Sequence, residues 1–295
     1  MNGLVLIGGG LSPGEVRGSD GIVGPEVCKG CHEDKYATYA ISIHARKGLP
    51  GSPASKDGCE SCHGPGEAHV EKAGERGVGI FIFGKRIEEA QAKSAKCLAC
   101  HAEQRDLTFW DMGRHKTMGI SCDNCHTVHS GTRKNLKAQQ PDLCYICHRV
   151  IRLQQNKQSH HPVREGRVKC TDCHEHHGGF GPHQIKADSV NELCYKCHTE
   201  KRGPFMWEHP PVDENCVTCH TPHGSNHNKL LVSKVPQLCQ SCHDGTRHPG
   251  TVYTSFDTFR GAAPSNKMFA RACLNCHSQI HGSNGPSVRG KTFVR

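Results

Sequence analysis

Apolar residues in this chain come singly or in short clusters, with no long run at the spacing of an amphipathic helix or a half-buried strand. Thirty-three glycines and sixteen prolines break what periodicity there is, which predicts short helices joined by many loops and little β structure. Residues 88–99 have the composition of a helix, and Ser189 with Glu192 has capping-box spacing just ahead of Cys194. Residues 78–83, VGIFIF, form an apolar stretch that fits a short strand, a barrel contact or a surface packed against a cofactor. No stretch approaches the ~20 apolar residues that a membrane-spanning helix requires.

The polar pattern is more regular than the apolar one, because it repeats a single motif. CxxCH occurs at residues 28–32, 59–63, 97–101, 122–126, 144–148, 170–174, 194–198, 216–220, 239–243 and 273–277. The cysteines are Cys28, Cys31, Cys59, Cys62, Cys97, Cys100, Cys122, Cys125, Cys144, Cys147, Cys170, Cys173, Cys194, Cys197, Cys216, Cys219, Cys239, Cys242, Cys273 and Cys276, and they account for all 20 in the chain. A CxxC pair alone fits a zinc site, a redox dithiol or a covalent haem anchor. A histidine after every one of ten pairs has chance odds on the order of one in 10¹¹, and zinc and disulfide scaffolds need no such residue. The motif therefore points to ten covalently attached haem c groups. Their thioethers come from the cysteines, and their proximal iron ligands are His32, His63, His101, His126, His148, His174, His198, His220, His243 and His277.

Composition fits that reading. Hydrophobic residues make up 35% of the chain, aromatics 5%, and the mean hydropathy is −0.61, which is little material for an ordinary core. Ten macrocycles supply the missing apolar surface, and residues 78–83 then read best as a segment packed on haem. The formal charge of +9 does not imply a nucleic-acid partner. Ionised propionates on ten haems contribute about −20 and take the holoprotein to roughly −11.

Fourteen histidines lie outside the motifs, and an internal repeat sorts them. Each repeat runs histidine, CxxCH, a second histidine and usually another CxxCH. It selects His44 and His69, His115 and His129, His161 and His177, His209 and His223, and His248 and His281 as ten distal ligands for ten irons. His161, His209 and His248 precede proline, which holds the ligand residue in extended geometry. His177, His223 and His281 precede glycine, which lets the backbone turn tightly and pass close to a flat ring. His160, His176, His183 and His227 carry neither mark and read as surface residues or propionate partners, with a role as alternative ligands left open. Two imidazoles on each iron leave no open position for a substrate, so the chain is expected to carry electrons and not to catalyse a reaction.

The segments CESCHGPGEAHV, VNELCYKCHTEKRGPFMWEHPPV, CHTPHGSNH, LCQSCHDGTRHPG and CLNCHSQIHGSN resemble the MtrA/DmsE/PioA group of decahaem c-type cytochromes, and the likeness runs over residues 28–295. The resemblance implies an elongated multihaem cytochrome c of two similar pentahaem halves, with bis-histidine irons in single file. It also implies an electron-transfer wire sheathed by an outer-membrane β-barrel protein. Such a wire exchanges electrons with periplasmic or inner-membrane cytochromes on one side and with an extracellular multihaem cytochrome or a mineral on the other. A bilayer with its headgroups is about 40–45 Å thick, too far for one electron-transfer step, so closely spaced haems serve as stepping stones. A polar rod crosses lipid only inside a closed barrel.

The same ligands suit a soluble periplasmic shuttle that donates to a terminal reductase, and that reading stays open, as do a catalytic multihaem reductase and an extracellular filament. Covalent haem attachment implies an exported protein, periplasmic and associated with the outer membrane. The opening MNGLVLIGGGLSPGEV lacks a basic n-region and has only Leu4 to Ile7 as an apolar stretch, so a leader is expected upstream or the start is misassigned. Residues 1–27 read as a flexible tail, with halves at 28–160 and 161–295.

Overall fold

A computed structural model describes residues 21–84, 89–243 and 273–294. Its chain falls into two compact units, Met1–Gln139 and Gln140–Arg295. The division lies ahead of the 160/161 boundary expected from the motif count. It leaves four motifs in the first unit and six in the second, because the 144–148 motif belongs with the segment that follows it.

Among the described residues, secondary structure consists of helices of 4 to 12 residues, 3₁₀ turns and isolated antiparallel bridges, with no strand ladder. Buried apolar side chains are few: Tyr39, Ala90, Trp110, Tyr145, Val163 and Ile185. Among the described residues there is no extensive hydrophobic centre.

The motifs alternate between two settings. Odd-numbered motifs ride on or just behind a helix: Pro25–Cys31, Ala90–His101, Asp142–Tyr145, Val190–Tyr195 and Gln237–Gln240. Proline at the first helical position starts Pro25–Cys31, where its missing N–H costs no hydrogen bond. The helix expected at 88–99 begins at Ala90 and continues through its attachment motif to His101; Glu88 lies outside the described residues. Ser189 Oγ accepts the Glu192 N–H at 3.2 Å, so half of the expected capping box is made. Glu192 turns its carboxylate to Arg202, 3.3 Å away.

Even-numbered motifs form single turns, Glu60–His63, Cys122–Cys125, Cys170–Cys173, Cys216–Thr218 and Cys273–Asn275. Local polar side chains start several of them. Asn215 Oδ1 accepts the Val217 N–H at 3.1 Å, and Ser121 N–H donates to Asn124 Oδ1 at 2.8 Å. After each of the middle three, the chain loops out and returns antiparallel. Thr127, Glu175 and Thr221 N–H donate to the carbonyls of Asn135, Gln184 and Leu230 at 2.7, 2.6 and 2.7 Å. Lys137, Lys186 and Val232 N–H then donate to the carbonyls of Cys125, Cys173 and Cys219 at 2.9, 2.8 and 2.9 Å.

The segment expected as a tail is tied down from residue 21. Buried Glu60 accepts the N–H groups of Val23, Gly24 and Gly66 at 3.0, 2.8 and 2.7 Å, and Gly21 O accepts from Glu67 N–H at 3.1 Å. Residues 1–20 lie outside the described residues.

Candidate haem-binding framework

The return loops fix the proximal histidines of the even motifs. His63, His126, His174, His220 and His277 place Nδ1 2.8, 2.9, 3.2, 2.8 and 2.6 Å from the carbonyls of Phe81, Lys134, His183, Lys229 and Thr292. A carbonyl only accepts, so Nδ1 carries the proton and the lone pair sits on Nε2, the tautomer a metal ligand needs. Lys134, His183 and Lys229 reach this position with φ of 59°, 52° and 58°. Non-glycine residues in the left-handed region cost about 1–3 kcal/mol each, strain that persists only where the surroundings enforce it. Residues 78–83 form no strand: Phe81 bonds His63 by both backbone and ring nitrogen, and Phe83 stands edge-on to the same imidazole at 5.5 Å.

Seven motif histidines, three from even motifs and four from odd ones, face a second histidine from outside the motifs. His32/His69, His44/His101, His63/His129, His161/His198, His174/His223, His209/His243 and His220/His281 have centroids 6.4, 6.0, 6.5, 6.4, 6.0, 6.1 and 6.2 Å apart. A histidine nitrogen bonds a metal at about 2 Å and lies about 1.1 Å from its ring centre, so two rings on opposite faces of one metal stand about 6.2 Å apart. All seven pairs match. Burial pushes the pKa of His44, His129, His209 and His223 down, and carries His281 to about 4 with help from Lys201 and His220. These rings are held neutral, the form that ligates.

The cysteines link consecutive motifs. Cys59 thiol is lowered to about 7 chiefly by its hydrogen bond with Cys28, Cys122 to about 6 by Cys97, and Cys170 to about 7 by Cys144. Burial first, then Cys216, raises Cys194 to about 12, and Cys239 goes to about 11 through burial and then Cys273. Second cysteines meet the next motif: burial and then Cys100 raise Cys62, burial and then Cys242 raise Cys219, and Cys197 adds to the rise of Cys173 after burial and Asp172. Within each unit, the attachment points therefore succeed one another in chain order.

The surroundings fit a large apolar disc. Ile146 within the 144–148 motif, and Val150 and Leu153 on the helix Arg149–Gln155 that follows it, are 62, 65 and 68% exposed, apolar surface that no described residue covers. Among the described residues no three His, Cys, Asp or Glu side chains gather closely enough to hold a bare metal ion. The histidines instead form two-ring clamps in which one ring belongs to a CxxCH motif, which matches the ligation of haem c.

Comparisons with known proteins agree. A model of the doubled CXXCH motif matches residues 160–203 and 209–248, and one of the NrfB-like cytochrome c-type proteins matches residues 59–137. The chain is 37% identical over 278 residues to multiheme cytochrome MtrA of Shewanella baltica, an alignment covering 92% of this chain and 81% of that protein. It belongs to the MtrA family of multihaem cytochromes. MtrA-type sequence and geometry together make it a c-type cytochrome that transfers electrons through haem. C-type polyheme cytochrome OmcB of two Geobacter sulfurreducens strains is 27% identical over 220 residues, 64% of this chain and 26% of OmcB.

Within this MtrA-family framework the four histidines expected outside the ligand set make the following contacts. His160 is saturated, with Nδ1 2.7 Å from Lys157 O and Nε2 3.1 Å from Glu165. His183 lends its carbonyl to His174, and His227 donates its N–H to Ser225 Oγ at 2.9 Å. His176 packs its ring 3.9 Å from that of His177. His209, ahead of Pro210, is extended at φ −95°, ψ 109° as expected, while His248 lies outside the described residues. After His177, His223 and His281, Gly178, Gly224 and Gly282 have φ of 122°, 154° and 137°. The close approach at the latter two is to the chain itself: a Cβ on Gly224 meets Gln154 O at 2.0 Å, and one on Gly282 meets the Phe205 ring at 2.1 Å. Sequence reasoning missed the carbonyls, because a backbone acceptor carries no residue signature. It also missed Asn191, whose side chain holds the 216–220 motif.

Proposed function

We propose that the chain carries ten haem c groups, each held between its motif histidine and one of His44, His69, His115, His129, His161, His177, His209, His223, His248 and His281, and that it acts as a relay for electrons and not as a catalyst. The observation that supports this reading is the spacing of seven imidazole pairs among the described residues, 6.0 to 6.5 Å, which suits two axial ligands on one iron. With no face open to a substrate, charge has only the neighbouring haem to go to. The succession of cysteine contacts along each unit supports relay in chain order.

The relay is used as the haem wire of an extracellular electron transfer conduit, periplasmic in origin and sheathed by an outer-membrane β-barrel protein. It exchanges electrons with periplasmic or inner-membrane cytochromes and with an extracellular multihaem cytochrome or mineral. Supporting this is the likeness to MtrA over most of both chains. No helix among the described residues is long and apolar enough to cross a membrane, so insulation in lipid falls to a partner. Affinity capture of the holoprotein from mildly solubilised outer membranes tests the assignment. A β-barrel recovered in equal amount supports the conduit. Recovery of the chain solely from the soluble periplasm, without a barrel, overturns it in favour of the shuttle.

A further inference from the structure

The seven histidine pairs differ in what their Nδ1 atoms meet. At the second motif both rings are served: His63 Nδ1 donates to Phe81 O at 2.8 Å and His129 Nδ1 to Lys35 O at 3.2 Å. Four pairs have one partner. His174 has His183 O, His161 has Pro222 O at 2.7 Å, His220 has Lys229 O, and His44 has the Asn135 side-chain amide at 3.2 Å, which offers its oxygen when rotated about its terminal bond. Opposite His161, His198 Nδ1 lies 3.7 Å from Glu200, outside hydrogen-bond reach. The pairs His32/His69 and His209/His243 have no Nδ1 bond to a described residue, and Nδ1 of both His69 and His209 is buried with no partner.

We propose that these acceptors grade the reduction potentials along the chain. The His63/His129 site lies lowest, His32/His69 and His209/His243 lie highest, and the four single-acceptor sites fall between. The inference rests on the ligand reading proposed above. A histidine that gives its N–H to a carbonyl becomes a more basic ligand, and outer hydrogen bonds of this kind are a recognised lever on haem potential. Ferric iron gains more from a basic ligand than ferrous iron, so each acceptor favours the oxidised state. The reduction adds one electron to iron, and the Nδ1 proton stays where it is. A buried N–H with no acceptor leaves that lever unused, and in a low-dielectric surrounding the difference is weakly screened.

The two extremes are neighbours. Cys28 and Cys59, the first attachment points of motifs 1 and 2, lie close enough for each sulfur to perturb the other, so the steepest step in the relay stands between consecutive sites near its N-terminal end. At partial reduction, electrons collect at motifs 1 and 9 before they occupy motif 2.

Methionine in place of a ligand histidine marks its iron, because His/Met ligation raises the potential and has its own spectroscopic signature. In a potentiometric titration of the full-length holoprotein, His129→Met is expected to remove the lowest component and add one above it. His69→Met and His209→Met each move a component already at the top. Loss of a middle or top component in His129→Met, or of a low one in His69→Met or His209→Met, overturns the grading while leaving the ligands intact. A variant with full haem content and no methionine signature overturns the ligand assignment and the grading with it. Asn135→Leu supplies a test that spares every ligand. Leu230 occupies the matching turn position at φ 59°, beside 52° for Asn135, so leucine fits the fold. One intermediate component is expected to rise with the low-spin spectrum unchanged, and a titration identical to the wild type counts against the grading.

Discussion

The imidazoles of His220 and His281 stand 6.2 Å apart with planes 17° from parallel, although the whole of motif 9 and the attachment residues of motif 10 lie between them in the chain. His63/His129 and His174/His223 follow the same rule: an even-numbered motif takes its partner from just beyond the next even one. His44/His101, His161/His198 and His209/His243 run the other way, each odd motif taking a histidine from ahead of the preceding even motif. On the proposed ligation, an iron at each of these pairs would staple distant stretches of a chain with few buried apolar residues, and closing long loops is where such staples stabilise most.

This interlacing gives the first prediction. In a chain lacking the motif-10 anchors, Cys273→Ala with Cys276→Ala, the further change His281→Ala is expected to turn one of the nine remaining irons high-spin, because His281 serves motif 8. Were His281 the partner of its own neighbouring motif, all nine would stay low-spin. Electron paramagnetic resonance of the oxidised protein separates the two outcomes.

The glycine after a ligand histidine gives the second. A Cβ on Gly224 overlaps Gln154 O at 2.0 Å, and Gly224 has φ 154°. Gly224→Ala therefore forces two backbone segments apart and is expected to cost on the order of 3 kcal/mol or more, with loss of low-spin iron at the His174/His223 site. Gly30, inside the helix Pro25–Cys31 with nothing within 4 Å of an added Cβ, is the control. Gly30→Ala is expected to be neutral or stabilising by up to about 1 kcal/mol. Denaturant midpoints of the two holoproteins check the contrast.

These relationships show what the residues alone disclosed. Motif repetition, the marks on His209 and His223 and the scarcity of core residues were legible, since each depends on residue type at a fixed spacing. Which histidine faces which motif was not, because the repeat places His69 and His101 near each other in sequence while the fold gives them to His32 and His44. The end of the helix at His101 escaped the pattern for a related reason. Its last turn is an attachment motif, whose composition reports chemistry and not helical preference.

The third prediction concerns His160, the saturated neighbour of a ligand. Its hydrogen bond to Glu165, then that to Lys157 O, holds its pKa above the usual 6.5, and the same bond to His160 foremost holds Glu165 below 4.5. A raised histidine contributes stability that is complete below its unfolded pKa and fades as pH rises through the folded value. A lowered carboxylate contributes above its unfolded pKa and loses that as pH falls through the folded one. The pair therefore stabilises most between about pH 4.5 and 6.5. The difference in melting temperature between wild type and Glu165→Gln is expected to be small, largest near pH 5.5, and gone by pH 9. A difference constant across that range contradicts the assignment.

Asn191 supports the last prediction, and its three bonds show how one motif positions the next. The residue is 8% exposed, on the helix Val190–Tyr195 that leads into the 194–198 motif. Its Nδ2 donates to the carbonyls of Val212 and Asp213 at 3.0 and 2.8 Å, and its Oδ1 accepts the Cys216 N–H at 2.8 Å, the first residue of the next attachment turn. Gln140 makes a comparable reach to Thr171, donating at 3.1 Å and accepting at 3.2 Å, so linkage from an odd motif's leading segment to the following even motif recurs. Asn191→Leu keeps the volume and strips all three bonds. An unsatisfied buried group costs about 1–3 kcal/mol, and some of the three regain water once the turn loosens, so a loss of about 2–4 kcal/mol is expected. Asn191→Asp retains the acceptor for Cys216 and gives up the two donors, placing a carboxylate against two carbonyl oxygens. If Asn191 chiefly holds the attachment turn, Asn191→Asp keeps its haem at Cys216 and Cys219 despite lower stability, while Asn191→Leu loses haem there. Haem content by pyridine haemochrome, set beside the denaturant midpoint of each variant, distinguishes a motif-positioning role from simple stabilisation, since the latter makes haem content track stability in both.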